Sequence, residues 1–259
     1  MTSVLPSLFI SHGAPDLLLS DEPAARFLRG FAAMLPRPRA IVVASAHWTT
    51  PEVEIEAGAR PETIHDFGGF ARELNARRYP APGEPALAAD IAARLQAAGL
   101  TATARQRGFD HGVWVPLSLL YPGASIPVVA LSVQPERDGA HHLAVGAALA
   151  SLRADGVLVI GSGAATHDLS SLAWDGGAAP GWVMDFDDWL VARAEAGDAE
   201  ALADWEQRGP QARRNHPSPE HLLPLLVAMG AGGGTAGRAV HRSTTYGVLR
   251  MTMLSFTGG

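Results

Sequence analysis

The sequence predicts an α/β protein, with one central mixed sheet covered by helices on both faces. Two observations support this class: short apolar runs end at glycine or proline, and alanine- and leucine-rich stretches with helical spacing alternate with them. A length of 259 residues allows one large domain or two small ones. Because no long linker and no repeat of fixed period interrupts the chain, we expect a single domain over residues 1–259.

Six apolar runs bounded by turn residues are the predicted strands. They are Ser7–Ser11, Ala40–Ala46, Val53–Ala57, Ile126–Ser132, Gly156–Gly161 and Gly247–Phe256. Five stretches have the apolar spacing of a helix. They are Glu22–Leu35, Glu84–Ala98, His141–Ala154, Trp182–Ala196 and Pro219–Met229. Ser218 is a candidate cap for the last helix, with Pro219 in its first turn, and the glycine run Gly230–Gly237 predicts a loop after it.

Composition and charge exclude several classes of function. A formal net charge of −6 gives no electrostatic reason to expect nucleic acid or an anionic membrane as a partner. The chain has no cysteine, which excludes disulfides, zinc–thiolate sites, iron–sulfur clusters and cysteine nucleophiles. No apolar segment approaches the about 20 residues of a membrane span, and the first residues lack the basic region of a signal peptide. We therefore expect a cytoplasmic protein.

Five of the ten histidines share a local context in which a strand or the start of a helix opens into small or polar residues. They are His12, His47, His111, His167 and His221. Because ligands of open α/β sheets bind beyond the carboxyl ends of the strands, we expect His12 and His47 in one crevice and His167 close by. Clustered neutral imidazoles suit a divalent metal ion, but any one of them could instead be a buried residue bonded to a backbone carbonyl. The residues alone leave both interpretations open.

Two other motif interpretations are disfavoured. The sequence GSGAAT resembles a dinucleotide fingerprint, but Thr166 replaces its third glycine. Ser162 is not in a nucleophile elbow, because Ile160 stands where that motif needs glycine.

Several side chains near the histidines have two interpretations each. The aromatic neighbours are expected in the core, although an aromatic substrate would also suit them. They are Trp48, Phe67, Phe70 and Trp114. Paired arginines at 77–78 and 213–214 are expected as solvated loop charges, with binding of a substrate carboxylate as the alternative.

A set of longer motifs resembles one family over nearly the whole chain. The motifs FISHGAP, PRPRAIVVASAHW, TIHDFGGF, RRYPAPGEPALA, RGFDHGVWVPL, GSGAATHDL, PSPEHLLPLLVAMGA and YGVLRMTMLSF occur in family order. The chain is similar to the class III extradiol ring-cleavage dioxygenases of the DOPA-dioxygenase type, in the LigB-like superfamily. The resemblance implies a one-domain α/β fold with a metal site at the carboxyl ends of the strands.

The resemblance also implies the metal ligands. His12 in SHG, His47 in SAHW and His221 in PEH match the ligands of the family. Neighbouring residues of a helix point about 100° apart, so only one of Glu220 and His221 should face the metal. The family pattern favours His221, and Glu220 would then support the ligand or charge the first helical turn.

Further roles follow from the same resemblance. His167 matches a histidine that is either a fourth ligand or the acid–base residue, and His111 matches another active-site histidine. His65 and Trp48 are candidate substrate contacts.

The implied reaction is the cleavage of a catechol ring by O2 with a non-haem Fe(II) ion. The substrate would be DOPA or another 3,4-dihydroxyphenyl compound, and Zn(II) could occupy the same site. One alternative is a zinc-dependent hydrolase that uses the same histidines and needs no oxygen. The other is a metal-binding protein without chemistry, in which His111 and His167 would be expendable.

Overall fold

A mixed sheet of eight strands forms the centre of the computed structural model, which describes residues 4–258. The strands of the described chain are β1 (Ser7–Ser11), β2 (Ala40–Thr49), β3 (Val53–Glu56), β4 (Ala102–Arg105), β5 (Val128–Val133), β6 (Val157–Gly163), β7 (Gly237–His241), β8 (Thr244–Thr245), β9 (Leu249–Arg250) and β10 (Met253–Phe256). Their order in the large sheet is β4-β3-β5-β2-β6-β1-β10-β7, while β8 and β9 pair with each other. The central strands β5, β2, β6 and β1 run parallel.

Helices cover both faces of this sheet, as the sequence predicts. They are α1 (Pro23–Phe31), α2 (Arg72–Ala76), α3 (Pro85–Ala97), α4 (His111–Leu120), α5 (Gly139–Leu149), α6 (Gly181–Ala196), α7 (Ala199–Ala203), α8 (Trp205–Arg208), α9 (Ala212–Asn215) and α10 (Leu223–Ala231). One face packs against α1 and α4, and the other against α3, α5 and α10. Among residues 4–258, none of these helices combines the length and hydropathy that a membrane span needs.

The central strand β2 shows why the apolar runs are continuous. Ile41 and Val43 pack on the α1 and α4 side, while Val42 and Ala44 pack on the α3 and α5 side. All four are at most 1% exposed, since successive side chains of a strand point to opposite faces. Burying one such valine or isoleucine stabilises the fold by about 1.5–3 kcal/mol, so this strand is a main source of stability.

Several elements lie outside the prediction, among them the short helices α2, α7, α8 and α9 and the two-residue strand β8, and three others show why. The edge strand β4 was not predicted, because three of its four residues are exposed and it carries no apolar run. The half-buried edge strand β7 was missed for the same reason. The helix α4 was also missed: Pro116 and two valines are poor helix formers, yet the helix is buried on nearly every side.

The start of the last helix was predicted wrongly. It begins at Leu223 and not at Pro219, so His221 lies in the turn before it. Ser218 does not cap this helix, because its hydroxyl donates to Glu220 Oε1 at 2.9 Å. The predicted last strand is likewise divided into β9 and β10 at residues 251–252.

Candidate metal centre and active site

Three histidine side chains meet beyond the carboxyl ends of the central strands. His12 directly follows β1, His47 lies two residues before the end of β2, and His221 lies in the turn before α10. The Nε2 atoms of His12 and His47 are 3.0 Å apart, and those of His47 and His221 are 3.3 Å apart. The crevice expected from the sequence therefore brings these three residues together.

The register of the sheet brings the histidine side chains close together. Strands β1 and β6 pair in parallel up to Ser11 and Gly163, and the N–H of His12 donates to the Gly163 carbonyl at 3.0 Å. In β2, the pairing with β5 shifts register after Ala44. Such an irregularity bends a strand and re-aims its side chains, and here it lies in the segment that carries His47.

A close backbone contact holds His221 against β6. A Cβ atom on Gly163 would lie 2.1 Å from the carbonyl oxygen of His221. The N–H of Ala164 donates to that same oxygen at 2.9 Å. Position 163 therefore requires glycine, because a side chain there would push the turn that carries His221 away from the sheet.

The tautomer of His12 follows from hydrogen bonds that begin at Pro116. A proline has no N–H for the carbonyl four residues earlier in α4, and this carbonyl, on Gly112, accepts the hydroxyl of Ser162. Because its proton is used there, Ser162 Oγ acts as the acceptor for Nδ1 of His12, at 2.9 Å. His12 therefore carries its proton on Nδ1 and a lone pair on Nε2.

Carboxylates lie beside Nδ1 of the other two rings. Nδ1 of His221 donates to Glu220 Oε1 at 2.9 Å, and Nδ1 of His47 lies 3.6 Å from Asp66 Oδ2. An ionised carboxylate only accepts hydrogen bonds, so Glu220 draws the proton of His221 to Nδ1 and leaves the lone pair on Nε2. At 3.6 Å, Asp66 faces Nδ1 of His47 without a direct hydrogen bond. Glu220 thus contacts His221 directly, as the sequence analysis allowed.

Nε2 lone pairs that point at one another repel, and a cation between them removes the repulsion. Burial lowers the pKa of His47 to about 3 and lowers the pKa values of His12 and His221 well below the usual range. All three rings are therefore neutral at pH 7. Neutral imidazoles are ligands for ferrous iron and for zinc, so the donor set fits a metal ion.

Two further groups of possible ligands overlap with this one. They are His47, Asp66 and His111, and His167, Glu220 and His221. In each of them the carboxylate already accepts an Nδ1–H, Asp66 from His111 at 2.9 Å and Glu220 from His221 at 2.9 Å. The group of His12, His47 and His221 contains no carboxylate, so its three Nε2 atoms are free for an ion.

The first residue of α4 lies at the edge of the same crevice. Asp110 caps this helix and is held by Arg107 at 2.7 Å. The ring centroid of His111 is 3.8 Å from that of His47, and Nδ1 of His111 donates to Asp66. His111 therefore presents an unprotonated Nε2 in its neutral form.

His167 lies flat against the ring of His221. The ring centroids are 3.4 Å apart and the planes differ by 14°. The N–H of His167 donates to the carbonyl of Asn215 at 2.7 Å, which fixes the loop after β6. Burial lowers the pKa of His167 to about 4, so this ring is also neutral at pH 7 and can accept a proton.

A cavity of about 610 Å³ opens above the histidines. All five histidines that share a local context in the sequence line it, namely His12, His47, His111, His167 and His221. The remaining wall is mostly apolar. It includes Phe67 and Phe70, which were expected in the core but are half-buried on this wall.

His65 and Trp48, both predicted as substrate contacts, are not among the residues that line this cavity. Trp48 is 4% exposed, and the guanidinium carbon of Arg107 lies 4.9 Å from its ring centroid. It follows His47 in a strand, and neighbouring strand residues point to opposite sides. The Nε2–H of His65 donates to the carbonyl of Arg77 at 3.0 Å, outside the cavity.

Residues that support the rings were missed from the sequence. Asp66 contacts two histidines, and its place in the TIHDFGGF motif is the sequence signal that points to it. Nothing local in the sequence links Ser162 to His12. The paired arginines at 77–78 and 213–214 do not line the cavity, and Arg77 pairs with Glu73 at 3.1 Å on the surface.

Imidazoles from two strands and one turn converge at one edge of the sheet, an arrangement that fits a metal-dependent α/β protein. The chain matches the family model described as the catalytic LigB subunit of aromatic ring-opening dioxygenase over residues 9–254. It is 40% identical to a 4,5-DOPA dioxygenase extradiol of Beta vulgaris, over 98% of this chain and 97% of that protein. It is 39% identical to the Escherichia coli K12 protein of the same name, over 89% of this chain and 86% of that protein.

A solved structure agrees with these sequence matches. The crystal structure of an uncharacterized Escherichia coli K12 protein superposes with a TM-score of 0.81 at 33% identity, over 97% of this chain and 99% of that chain. The chain belongs to the LigB family of extradiol aromatic ring-opening dioxygenases. Enzymes of this family depend on a metal ion, in agreement with the histidine cluster.

Proposed function

We propose that this chain is a ferrous-iron-dependent extradiol dioxygenase that opens the ring of a catechol with a 3,4-dihydroxyphenyl group. The observation that carries the proposal is the convergence of the Nε2 atoms of His12, His47 and His221 beside a mostly apolar cavity. The reaction adds both atoms of O2 to the catechol and breaks the ring bond beside the two hydroxyls. Its product is a yellow muconic semialdehyde.

His12, His47 and His221 are the proposed ligands of the ion. When bound there, ferrous iron would hold the two catechol oxygens and O2 side by side and act as a Lewis acid. Zinc binds such a donor set more tightly, so protein purified in air could contain zinc. Ser162 and Glu220 would keep two of the rings in the binding tautomer, through the hydrogen bonds to Nδ1.

His167 is proposed as the acid–base residue and not as a fourth ligand. The parallel stack supports this choice, because the lone pair of a ring nitrogen lies in the plane of its ring, and two stacked rings aim their lone pairs along separate, nearly parallel planes. A neutral His167 can take the proton of a catechol hydroxyl and return it to the substrate as the ring opens. His111 is proposed to accept a hydrogen bond from the substrate on Nε2, since Asp66 holds the proton on Nδ1.

L-DOPA is the first catechol to be tested for cleavage. The support for it is the name of the relatives, including a 42% identical protein of Portulaca grandiflora that is also called 4,5-DOPA dioxygenase extradiol. Other 3,4-dihydroxyphenyl compounds contain the same reacting ring.

The chain is further proposed to act as one catalytic domain, over residues 1–259, in the cytoplasm. The cavity supports the first part, because its wall takes residues from His12 to Met251. The lack of cysteine agrees with a reducing compartment.

The test is oxygen uptake by metal-stripped protein to which ferrous iron is added anaerobically. With L-DOPA and a panel of catechols, we expect iron-dependent uptake of one O2 per catechol and a yellow product. His167→Ala should slow turnover by about 10²–10⁴-fold, the range of general acid–base catalysis, while iron binding is retained.

A zinc hydrolase is the competing assignment, because zinc also accepts three imidazoles and an open position. No uptake with any catechol, together with oxygen-independent cleavage of an ester or amide by zinc-loaded protein, would establish it. If His167→Ala cleaved the ring at the rate of the parent protein, His167 would not be the acid–base residue.

A further inference from the structure

The cavity is larger than the reacting ring requires. Pockets of about 300–1,000 Å³ hold ligands of drug size, and this cavity measures about 610 Å³. The five histidines occupy its floor, where the dihydroxyphenyl ring would be bound under the proposed function. The space above the floor must therefore receive the substituent of that ring.

The wall around this outer space is apolar and ends in exposed large side chains. Leu169 is 55% exposed and Trp174 is 64% exposed, and both line the cavity. The ring of Trp174 lies 5.0 Å from that of Tyr246, and Leu172 lies on the same wall. Exposed apolar groups that border a cavity are characteristic of surfaces that bind apolar ligands.

Polar groups on this wall are already paired with protein partners. Among the described lining residues, Arg250 is the one permanent cation, and it is 7% exposed. Its Nε donates to the buried carboxylate of Asp187 at 2.8 Å, and its Nη1 donates to Thr244 Oγ1 at 2.6 Å. The Tyr246 hydroxyl donates to the Asp16 carboxylate.

We infer that the preferred substrates are catechols with an apolar alkyl or aryl substituent, rather than catechols with a carboxylate or amino-acid substituent. This inference rests on the proposed function and narrows its substrate class. A carboxylate in the outer space would lose water without gaining a free cation, which is unfavourable. An alkyl chain would bury its surface against Leu169, Leu172 and Trp174.

The test compares two catechols of similar length that differ in charge, 4-propylcatechol and 3-(3,4-dihydroxyphenyl)propanoate. Calorimetric titration of ferrous protein under argon gives their dissociation constants without turnover, and the chelating hydroxyls are the same in both. We expect 4-propylcatechol to bind at least tenfold more tightly. From 4-methylcatechol to 4-butylcatechol, each added methylene should tighten binding about fourfold, as expected for burial of one CH2.

Two variants of the wall should change this preference in opposite ways. Trp174→Ala should reduce the gain per methylene to less than twofold. Leu169→Arg supplies the missing cation and should tighten binding of the propanoate about tenfold while it weakens binding of 4-propylcatechol. Met34→Ala is the matched control, since Met34 is 72% exposed and does not line the cavity, and it should leave every constant unchanged.

Oxygen uptake separates failure of this inference from failure of the proposed function. Cleavage of catechol and L-DOPA, with the propanoate bound as tightly as 4-propylcatechol, would overturn the inference and leave the function intact. The inference would also be overturned if each added methylene still tightened binding to the Trp174→Ala variant about fourfold. If no catechol is bound or cleaved, both are wrong.

Discussion

Two groups of buried histidines lie in this protein, and they differ in where their ring nitrogens point. In α5, His142 is fully buried, its Nδ1 donates to the carbonyl of Asp138 at 2.9 Å, and its Nε2 accepts the N–H of Gln134 at 3.1 Å. Both nitrogens of His142 therefore have protein partners. In the cavity, Nδ1 of His12 and of His221 also has a protein partner, but the Nε2 atoms of both rings face Nε2 of His47.

The position of the ring nitrogens separates a candidate metal-binding histidine from a structural one. Burial lowers the pKa of His142 to about 4 and that of His47 to about 3, so both rings are neutral at pH 7. Neutral charge and burial are thus common to the two groups. The distinguishing feature is an Nε2 atom that faces the Nε2 atoms of other buried rings, an environment that a metal cation satisfies.

The largest expected effect comes from removing a ring of the converging group. His47→Ala should weaken metal binding more than the about 10–100-fold typical of losing an outer partner, because it deletes one of three ligands. Ring cleavage should fall below detection. Metal titration and oxygen uptake measure the two effects, and His142→Gln serves as the control that keeps both. Equal metal affinity in His47→Ala and the parent would remove His47 from the ligand set.

A smaller effect is expected from the partner of His221. Glu220→Ala removes the acceptor of Nδ1–H, so the ring can rotate or change tautomer, and metal affinity should fall about 10–100-fold. Glu220→Gln keeps an amide oxygen at the same position and should recover most of the loss. If Gln and Ala variants lose the same affinity, the carboxylate acts through its charge and not through orientation of the ring.

The partner of His12 should matter less, because a water molecule can replace a hydroxyl. Ser162→Ala should weaken metal binding by roughly tenfold, the lower end for an outer partner. Pro116→Ala restores an N–H that competes for the Gly112 carbonyl, and it should cause a fraction of that loss. Metal titration of the two variants at one pH checks the order, and a larger loss in Pro116→Ala would contradict the hydrogen-bond chain.

His142, the structural histidine, should affect the stability of the fold and not metal binding. Its pKa is about 4 in the folded state against about 6.5 when unfolded, so the unfolded chain binds more protons as pH falls. From this residue, the free energy of unfolding should decrease by about 1 kcal/mol between pH 7.5 and pH 5.5. Urea unfolding of the parent and His142→Gln at both pH values gives the difference, and equal pH slopes would contradict it.

The sequence predicted the central fold because buried parallel strands leave a continuous apolar signal. Ser7–Ser11 was predicted at its observed limits, and the helix Trp182–Ala196 within one residue of α6. Exposed edge strands such as β4 lack that signal. The helix α4 is stabilised by burial in the core, which overrides the weak helix propensity of its valines and proline.

The site could be predicted only in part, for a related reason. The histidines were found because strand-end context and motif spacing are local properties of the sequence. The contacts of Asp66 and Ser162 join residues that are far apart in the chain, so no local pattern encodes them. Trp48 and Phe67 both neighbour histidines in the sequence, yet Trp48 lies in the core and Phe67 lines the cavity, because proximity in sequence does not fix where a side chain points.

Anomalous diffraction from crystals of protein loaded anaerobically with ferrous iron is the most direct test of the proposed metal ligands His12, His47 and His221. We expect one iron peak at bonding distance, about 2.0–2.2 Å, from Nε2 of His12, His47 and His221, and none beside His142. A peak between His167 and Glu220, or between Asp66 and His111, would contradict the assignment of the three converging nitrogens as the metal site.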